Sequence, residues 1–200
     1  MQKVMGITTI LTAIFYTEPI IDRRGLGMEG CMSSMMGNGP IKLSKGLKQL
    51  KEEHPPLLAM LEELLQITIK MEESPDRALF QKLTEHVRYF CSKLDPHSES
   101  EEGVLFRMME QYLGKGTGPI AVMEYEHDQA KSCIKAFLRA AEGKEQLTEE
   151  EMAEHSGLIK KAYYTLTQHF SKEENVLFPM AENLLTEDEK EELYIKIQHI

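Results

Sequence analysis

The sequence predicts an all-α protein: an up-down antiparallel four-helix bundle with a short extra helix at each end. Three observations predict it. Leucine, isoleucine, valine and phenylalanine recur at helical spacing through four long stretches of residues 41–200. Helix-start signals punctuate those stretches, Ser74-Pro75-Asp76, Thr148-Glu-Glu-Glu151 and Thr186-Glu-Asp-Glu189 among them. One phrase also occurs twice, HSESEEGVLFRM over 97–108 and HFSKEENVLFPM over 169–180. Each copy is preceded at nearly the same distance by a lone histidine, His54 or His127. Repetition of this kind reads as two copies of one helical hairpin.

Residues 1–40 differ from the rest and read as an N-terminal tail, disordered by composition, with the bundle domain over 41–200. Val4 to Tyr16 is apolar but too short for a membrane span. Charged residues follow it in place of a small-x-small cleavage site. Met28 is an alternative start, which would make the residues before it an upstream artefact. Gly25 to Gly39 holds Met28, Cys31, Met32, Met35 and Met36 and reads as a flexible tail, with soft-metal binding the sharper alternative.

Ser44 is a candidate cap for a helix running toward His54. Proline is tolerated in the first helical turn and disfavoured beyond it. Pro55-Pro56 therefore predicts that the long first helix starts near Glu52, with a separate short helix or arm before it and His54 at its head. Leu57, Leu58, Leu61, Leu64, Leu65 and Ile69 mark its apolar face. Ser74, as cap, opens the second helix, which Pro96 kinks just before His97 and which resumes through Met109. Gly114 to Gly118 is a loop, Thr117 or Pro119 opens the third helix, and Gly143 ends it. Thr148 caps the fourth helix, which runs to about Glu182 with a bend or stop at Pro179. Thr186 caps a short terminal helix.

Composition narrows the function. The net charge is −10, from 33 acidic against 23 basic residues, with no basic cluster. That argues against a nucleic-acid partner. The three cysteines, Cys31, Cys91 and Cys133, are widely spaced, so a disulfide framework is not expected and a reducing cytoplasm is the default.

The repeated phrase carries the chemistry. Residues i and i+4 of a helix point nearly the same way about one turn apart. His97 with Glu101, and His169 with Glu173, can thus reach inward to one small volume, joined by His54 and His127. Four histidines and two carboxylates from four helices are a transition-metal set, and the nitrogen–oxygen mixture suits iron or manganese. A single zinc ion needs four ligands and would leave two unused. Two carboxylates can instead bridge a pair of metals. The ferritin-like pattern needs Glu-x-x-His twice, and only Glu124-x-x-His127 is present.

The order His54, His97, Glu101, His127, His169, Glu173, with an E-E-x-V-L-F tail after each pair, resembles the hemerythrin-like (His-His-Glu cation-binding) family over residues 44–182. The stretch GPIAVMEYEHDQA (118–130) and the phrase HFSKEENVLFP (169–179) are also similar to bacterial iron–sulfur-cluster repair di-iron proteins. The resemblance implies two non-haem iron ions in a four-helix bundle, bridged by Glu101, Glu173 and an oxo or hydroxo group. It implies an open position for dioxygen, nitric oxide or peroxide, and, from the repair proteins, iron–sulfur proteins as partners. The chain departs from the family pattern in three places. Lys131 stands where the invertebrate oxygen carriers have a fifth histidine. Glu72, Glu73 and Ser74 stand where the repair proteins have an extra one, which makes Glu73 a candidate further ligand. The paired cysteines of the repair proteins' small N-terminal domain have no counterpart in residues 1–40.

His86 and His155 lie several turns from the repeated phrase and read as partnered helix residues rather than ligands, and His199 as exposed. Glu53, Glu102, Glu126, Asp128 and Glu174 flank the site residues. They read as a solvated face, of which one or two could accept from the imidazoles. Tyr125 and Tyr163 could donate to a bound oxygen species, or simply be core. Four functions stay open on the residues. They are binding of small ligands for sensing, storage or stress response; iron donation to, or repair of, damaged iron–sulfur clusters; redox turnover of peroxide or nitric oxide; and a metal-free interaction module.

Overall fold

The computed structural model describes residues 41–143 and 146–200. The expectations for the tail, the alternative start at Met28 and the methionine-rich stretch lie outside these residues. Among the described residues every regular element is helical. Helix α1 is Lys45–Glu73. Helix α2, Arg77–Glu99, passes through a π-helical turn, Ser100–Leu105, into α3, Phe106–Leu113. Helix α4 is Gly118–Glu142. Helix α5, Glu149–Lys172, passes through a second π turn, Glu173–Leu177, into α6, Phe178–Leu184. Helix α7 is Glu187–Ile197. Counted as continuous rods, the described residues form five helices, and these make a bundle in which α1 lies against α2, α5 and α7, and α4 against α5. None of them is long and apolar enough to cross a membrane.

The start of α1 corrects the sequence expectation. There is no separate arm before Glu52, because α1 runs unbroken from Lys45 through Pro55 and Pro56. An interior proline typically costs about 3 kcal/mol, since it removes a helix hydrogen bond and crowds the previous turn. The two prolines free the carbonyls of Lys51 and Glu52. All four of these residues are exposed, so water can take those carbonyls. On the opposite face Leu47, Leu50, Leu57 and Leu61 are almost wholly buried. At roughly 1.5–3 kcal/mol per buried leucine, that stripe outweighs the prolines. His54 accordingly sits inside the helix rather than at its head.

The second helix also starts later than expected. Asp76, not Ser74, is its cap, and the Asp76 carboxylate accepts from the Leu79 N–H at 3.1 Å. Ser74 closes α1 instead, donating its N–H to the Lys70 carbonyl. The reversal between α3 and α4 uses Gly114, Gly116 and Gly118, with φ of 84°, 64° and 60°, a region that side chains disfavour. Thr148 and Thr186 both form full capping boxes, with Glu151 and Glu189. Thr148→Ala is therefore expected to lose about 1 kcal/mol in urea denaturation.

Two apolar layers fill the bundle. One joins Leu57, Leu61 and Leu64 of α1 to Leu83, Val87 and Phe90 of α2, Ile134 and Phe137 of α4, and Ile159, Leu166 and Phe170 of α5. The other joins Leu47 and Leu50 to Leu105, Phe106, Met109, Ile120, Met123, Leu177 and Phe178, closed by Leu193 and Ile197 of α7. Each long helix crosses from one layer to the other at a single polar residue or pair: His54, His97 with Glu101, His127, and His169 with Glu173.

Candidate metal centre

All six sequence-predicted site residues meet in the thin layer between the two apolar cores. His54, Glu101, His169 and Glu173 are wholly buried, and His97 and His127 are 2% and 1% exposed. They form two overlapping groups, His54–His97–Glu101–Glu173 and Glu101–His127–His169–Glu173. In each group the four donor atoms lie within 4.8 Å of one another. The two glutamates belong to both groups. Glu101 Oε2 is 3.5 Å from His97 Nε2 and 3.6 Å from His127 Nε2. Glu173 divides its oxygens, with Oε2 3.4 Å from His54 Nε2 and Oε1 3.0 Å from His169 Nε2. Donors held about 2.1 Å from one ion at right angles stand roughly 3 Å apart, so the spacing suits coordination.

Local backbone geometry explains why the carboxylates reach inward. Each central glutamate lies in a π turn. The Phe106 N–H donates to the Glu101 carbonyl and the Phe178 N–H to the Glu173 carbonyl, five residues back in both cases. The extra residue per turn resets the helix phase. The buried face then passes from His97 and Glu101 to Leu105, Phe106 and Met109 without a break. Nothing in the periodicity of the sequence announces these turns, although the repeat of E-E-x-V-L-F marks where both fall.

The four imidazoles are held from behind by carboxylates. His97 Nδ1 pairs with Glu53 at 2.8 Å, His127 Nδ1 with Glu102 at 2.5 Å, His169 Nδ1 with Glu126 at 3.3 Å and His54 Nδ1 with Glu174 at 2.9 Å. Each contact joins two different helical segments, and together they close a ring: α1 to α2, the first π turn to α4, α4 to α5, the second π turn to α1. The sequence expectation of one or two such acceptors was too low. The signal was available, because these glutamates stand one place before the lone histidine and one place after the central glutamate in both repeats. Three of them also meet a lysine: Glu174 meets Lys51 at 3.2 Å, Glu102 meets Lys131 at 2.5 Å, and Glu126 meets Lys172. Lys131 thus serves the carboxylate behind His127. Asp128, the fifth flanking acid, is exposed.

With Nδ1 donating outward, each Nε2 is left as an acceptor facing the layer. Among the described residues, all buried side-chain atoms without a hydrogen-bond partner except the hydroxyls of Ser44 and Ser98 belong to the six residues: every Nε2 and all four carboxylate oxygens. An unsatisfied buried polar atom typically costs about 1–3 kcal/mol. Eight of them would rival the roughly 5–15 kcal/mol that holds a domain together. Cations remove that penalty, and the donor set fits them. Protons do so only in part. Burial, then the negative charge of Glu173 beside it, raises Glu101 well above the ordinary carboxylate range. Burial pushes Glu173 up as well, but His169 and His54, where they carry a proton toward it, more than reverse this and hold it below the ordinary carboxylate range. Burial lowers His127 against the pull of Glu102. Burial also opposes ionisation of Glu102, but His127 and Lys131 bring it down to about 2.

Other sequence candidates stand away from this layer. Glu73 is exposed at the end of α1, roughly 28 Å along the helix from His54, so it is not a further member. Tyr125 is exposed, and the Tyr163 hydroxyl donates to Glu62 at 3.1 Å on the surface. Neither tyrosine points at the centre. His86 Nδ1 is 2.8 Å from the Lys82 carbonyl of its own helix, and His199 is exposed beyond α7.

Comparison with known proteins gives a family and relatives. A family model described as the hemerythrin HHE cation binding domain matches residues 45–184. Proteins named iron-sulfur cluster repair protein YtfE, from Salmonella schwarzengrund, Salmonella paratyphi B and Salmonella newport, are each 35% identical over 103 residues. The match takes in 50% of this chain and 46% of each relative. The chain thus spans about half the length of the curated relatives it matches.

Proposed function

The chain belongs to the hemerythrin HHE cation-binding domain family, and we propose that it is a non-haem di-iron protein that binds dioxygen, nitric oxide or peroxide in sensing, storage or stress response. The observation that carries this reading is the overlap of the two donor groups. His54 with His97, and His127 with His169, each form a half-site, and both halves draw on Glu101 and Glu173. In this reading the four long helices run up and down, so that each delivers its share to one level, and the protein works in the cytoplasm. Bound iron would supply one-electron chemistry and a coordination position for a small molecule. The chain's own part is to keep each imidazole in one tautomer, to aim it, and to exclude bulk water by the apolar layers above and below.

Anaerobic loading with iron(II) is expected to give about two irons per chain. Optical spectra on exposure to dioxygen and to nitric oxide then test the reading; unchanged spectra with both gases would contradict it. Glu174→Ala, which frees His54 from behind, is expected to weaken metal binding on the order of 10–100-fold at unchanged stoichiometry, measured by competition with a chelator.

A second reading is favoured by the relatives, whose name states repair of iron–sulfur clusters. On it the chain donates iron to, or restores, damaged clusters, with iron–sulfur proteins as partners. Recovery of activity by an oxidised cluster enzyme, when mixed with the iron-loaded protein, separates this role from gas binding alone.

A further inference from the structure

The two π turns match in sequence but are secured differently. In the second, Asn175 donates its side-chain amide to the Ser171 carbonyl at 2.6 Å, one turn back. The matching place in the first is Gly103, which has no side chain for such a bond and adds backbone freedom inside a helix. The next residue differs as well. Val176 is 51% exposed, whereas its counterpart Val104 is 9% exposed. Helix α7 packs along the first π turn and the start of α1, and its Leu193 and Ile197 share one apolar layer with Val104. Among the described residues, no helix beyond its own chain neighbours packs along the second turn to that extent.

We infer that α7 is the clasp of the first π turn, and that Leu193 and Ile197 are positioning residues for Glu101 which set how long the metal ions are retained. This inference rests on the metal-binding function proposed above. Helix α7 lies beyond the family-matched residues, yet it is tied down along its length. Near its start the Tyr112 hydroxyl of α3 donates to Glu189 at 2.6 Å, and just past its end Gln198 donates to Gln49 of α1 at 2.7 Å. Between these ties Leu193 is wholly buried. Helix α1 comes so close that a Cβ at Gly46 would meet the Leu193 side chain at 3.0 Å and the Tyr194 backbone nitrogen at 3.1 Å. A larger side chain at residue 46 therefore pushes α7 outward. The turn beneath is closed by the Phe106 N–H donating to the Glu101 carbonyl. If the turn slackens, the carboxylate that both half-sites share moves with it. Glu173 is less exposed to this, because Asn175 braces its turn from within.

The test uses full-length chains and two readouts. In the metal-free protein, amide hydrogen exchange followed by NMR reports the first π turn at Phe106 and the second at Phe178. Leu193→Ala and Gly46→Leu loosen α7 from opposite sides. Both are expected to speed exchange at Phe106 on the order of tenfold and to leave Phe178 unchanged. In the iron(II)-loaded protein, both are expected to release iron to a chelator on the order of tenfold faster than wild type. Ile195→Ala, exposed on α7, is expected to match wild type. Leu83→Ala, which weakens the other apolar layer, is expected not to favour Phe106 over Phe178. Gly103→Asn gives the first turn the brace of the second, and is expected to restore both readouts when combined with Leu193→Ala. Equal effects at Phe106 and Phe178, wild-type iron release in both α7 variants, or no rescue by Gly103→Asn would overturn the inference. If wild type takes up no iron, the proposed function fails and the exchange result alone decides whether α7 clasps the turn.

Discussion

Alanine at Glu101 or at Glu173 is expected to empty both halves of the centre, whereas alanine at any one histidine empties only its own half. The asymmetry follows from the sharing. Glu101 lies against one imidazole of each pair through the same oxygen, at 3.5 and 3.6 Å. Glu173 lies against the other two through its separate oxygens, at 3.4 and 3.0 Å. Removing either glutamate takes a donor and a negative charge from both groups. Removing His97 leaves His127 and His169 with both carboxylates. Iron analysis after anaerobic loading should therefore give about two irons per chain for the wild type, about one for His97→Ala or His127→Ala, and close to none for Glu101→Ala. Equal losses in the histidine and glutamate variants would contradict the shared arrangement.

Metal removal is the second large effect. Without cations, eight buried donor atoms have no partner. Even if a proton on Glu101 and small shifts relieve half of them, about 5 kcal/mol or more is lost at roughly 1–3 kcal/mol each. For a domain of this size each kcal/mol moves the midpoint by about 2–4 °C, so chelation is expected to lower Tm by about 10–20 °C. The pH dependence of binding has a definite sign. Burial and the negative charge of Glu173 raise Glu101, so it keeps a proton to higher pH than an ordinary carboxylate and must release that proton to bind. Where Glu101 is still protonated, metal uptake should thus liberate protons, and apparent affinity should fall as pH falls. A Tm unchanged by chelation would show that the cluster needs no ion.

The centre was more legible in the sequence than the path of the backbone. The doubled His-x-x-x-Glu, with its matched upstream histidines, named all six residues that the fold brings together, because a repeat constrains both chemistry and position. The cap at Ser44 was legible, but the continuity of α1 through Pro55 and Pro56 was not, since local rules for the two prolines do not see the leucine stripe that tertiary packing buries on the other face. The π turns escaped for a related reason. They are set by what Glu101 and Glu173 must reach, not by local propensity. The carboxylates behind the imidazoles could have been found in full. Glu53 and Glu126, and Glu102 and Glu174, occupy equivalent places in the two halves, and equivalent places in a repeat carry equivalent jobs. Tyr125 and Tyr163 misled because proximity in sequence says nothing about which face of a helix a side chain occupies.

The most direct measurement is a crystal structure of the iron-loaded protein with anomalous data collected at the iron absorption edge. Two peaks are expected in the layer between the apolar cores, one against Nε2 of His54 and His97, the other against Nε2 of His127 and His169, with Glu101 and Glu173 reaching both. A single peak, or iron located anywhere else in the chain, would contradict this account.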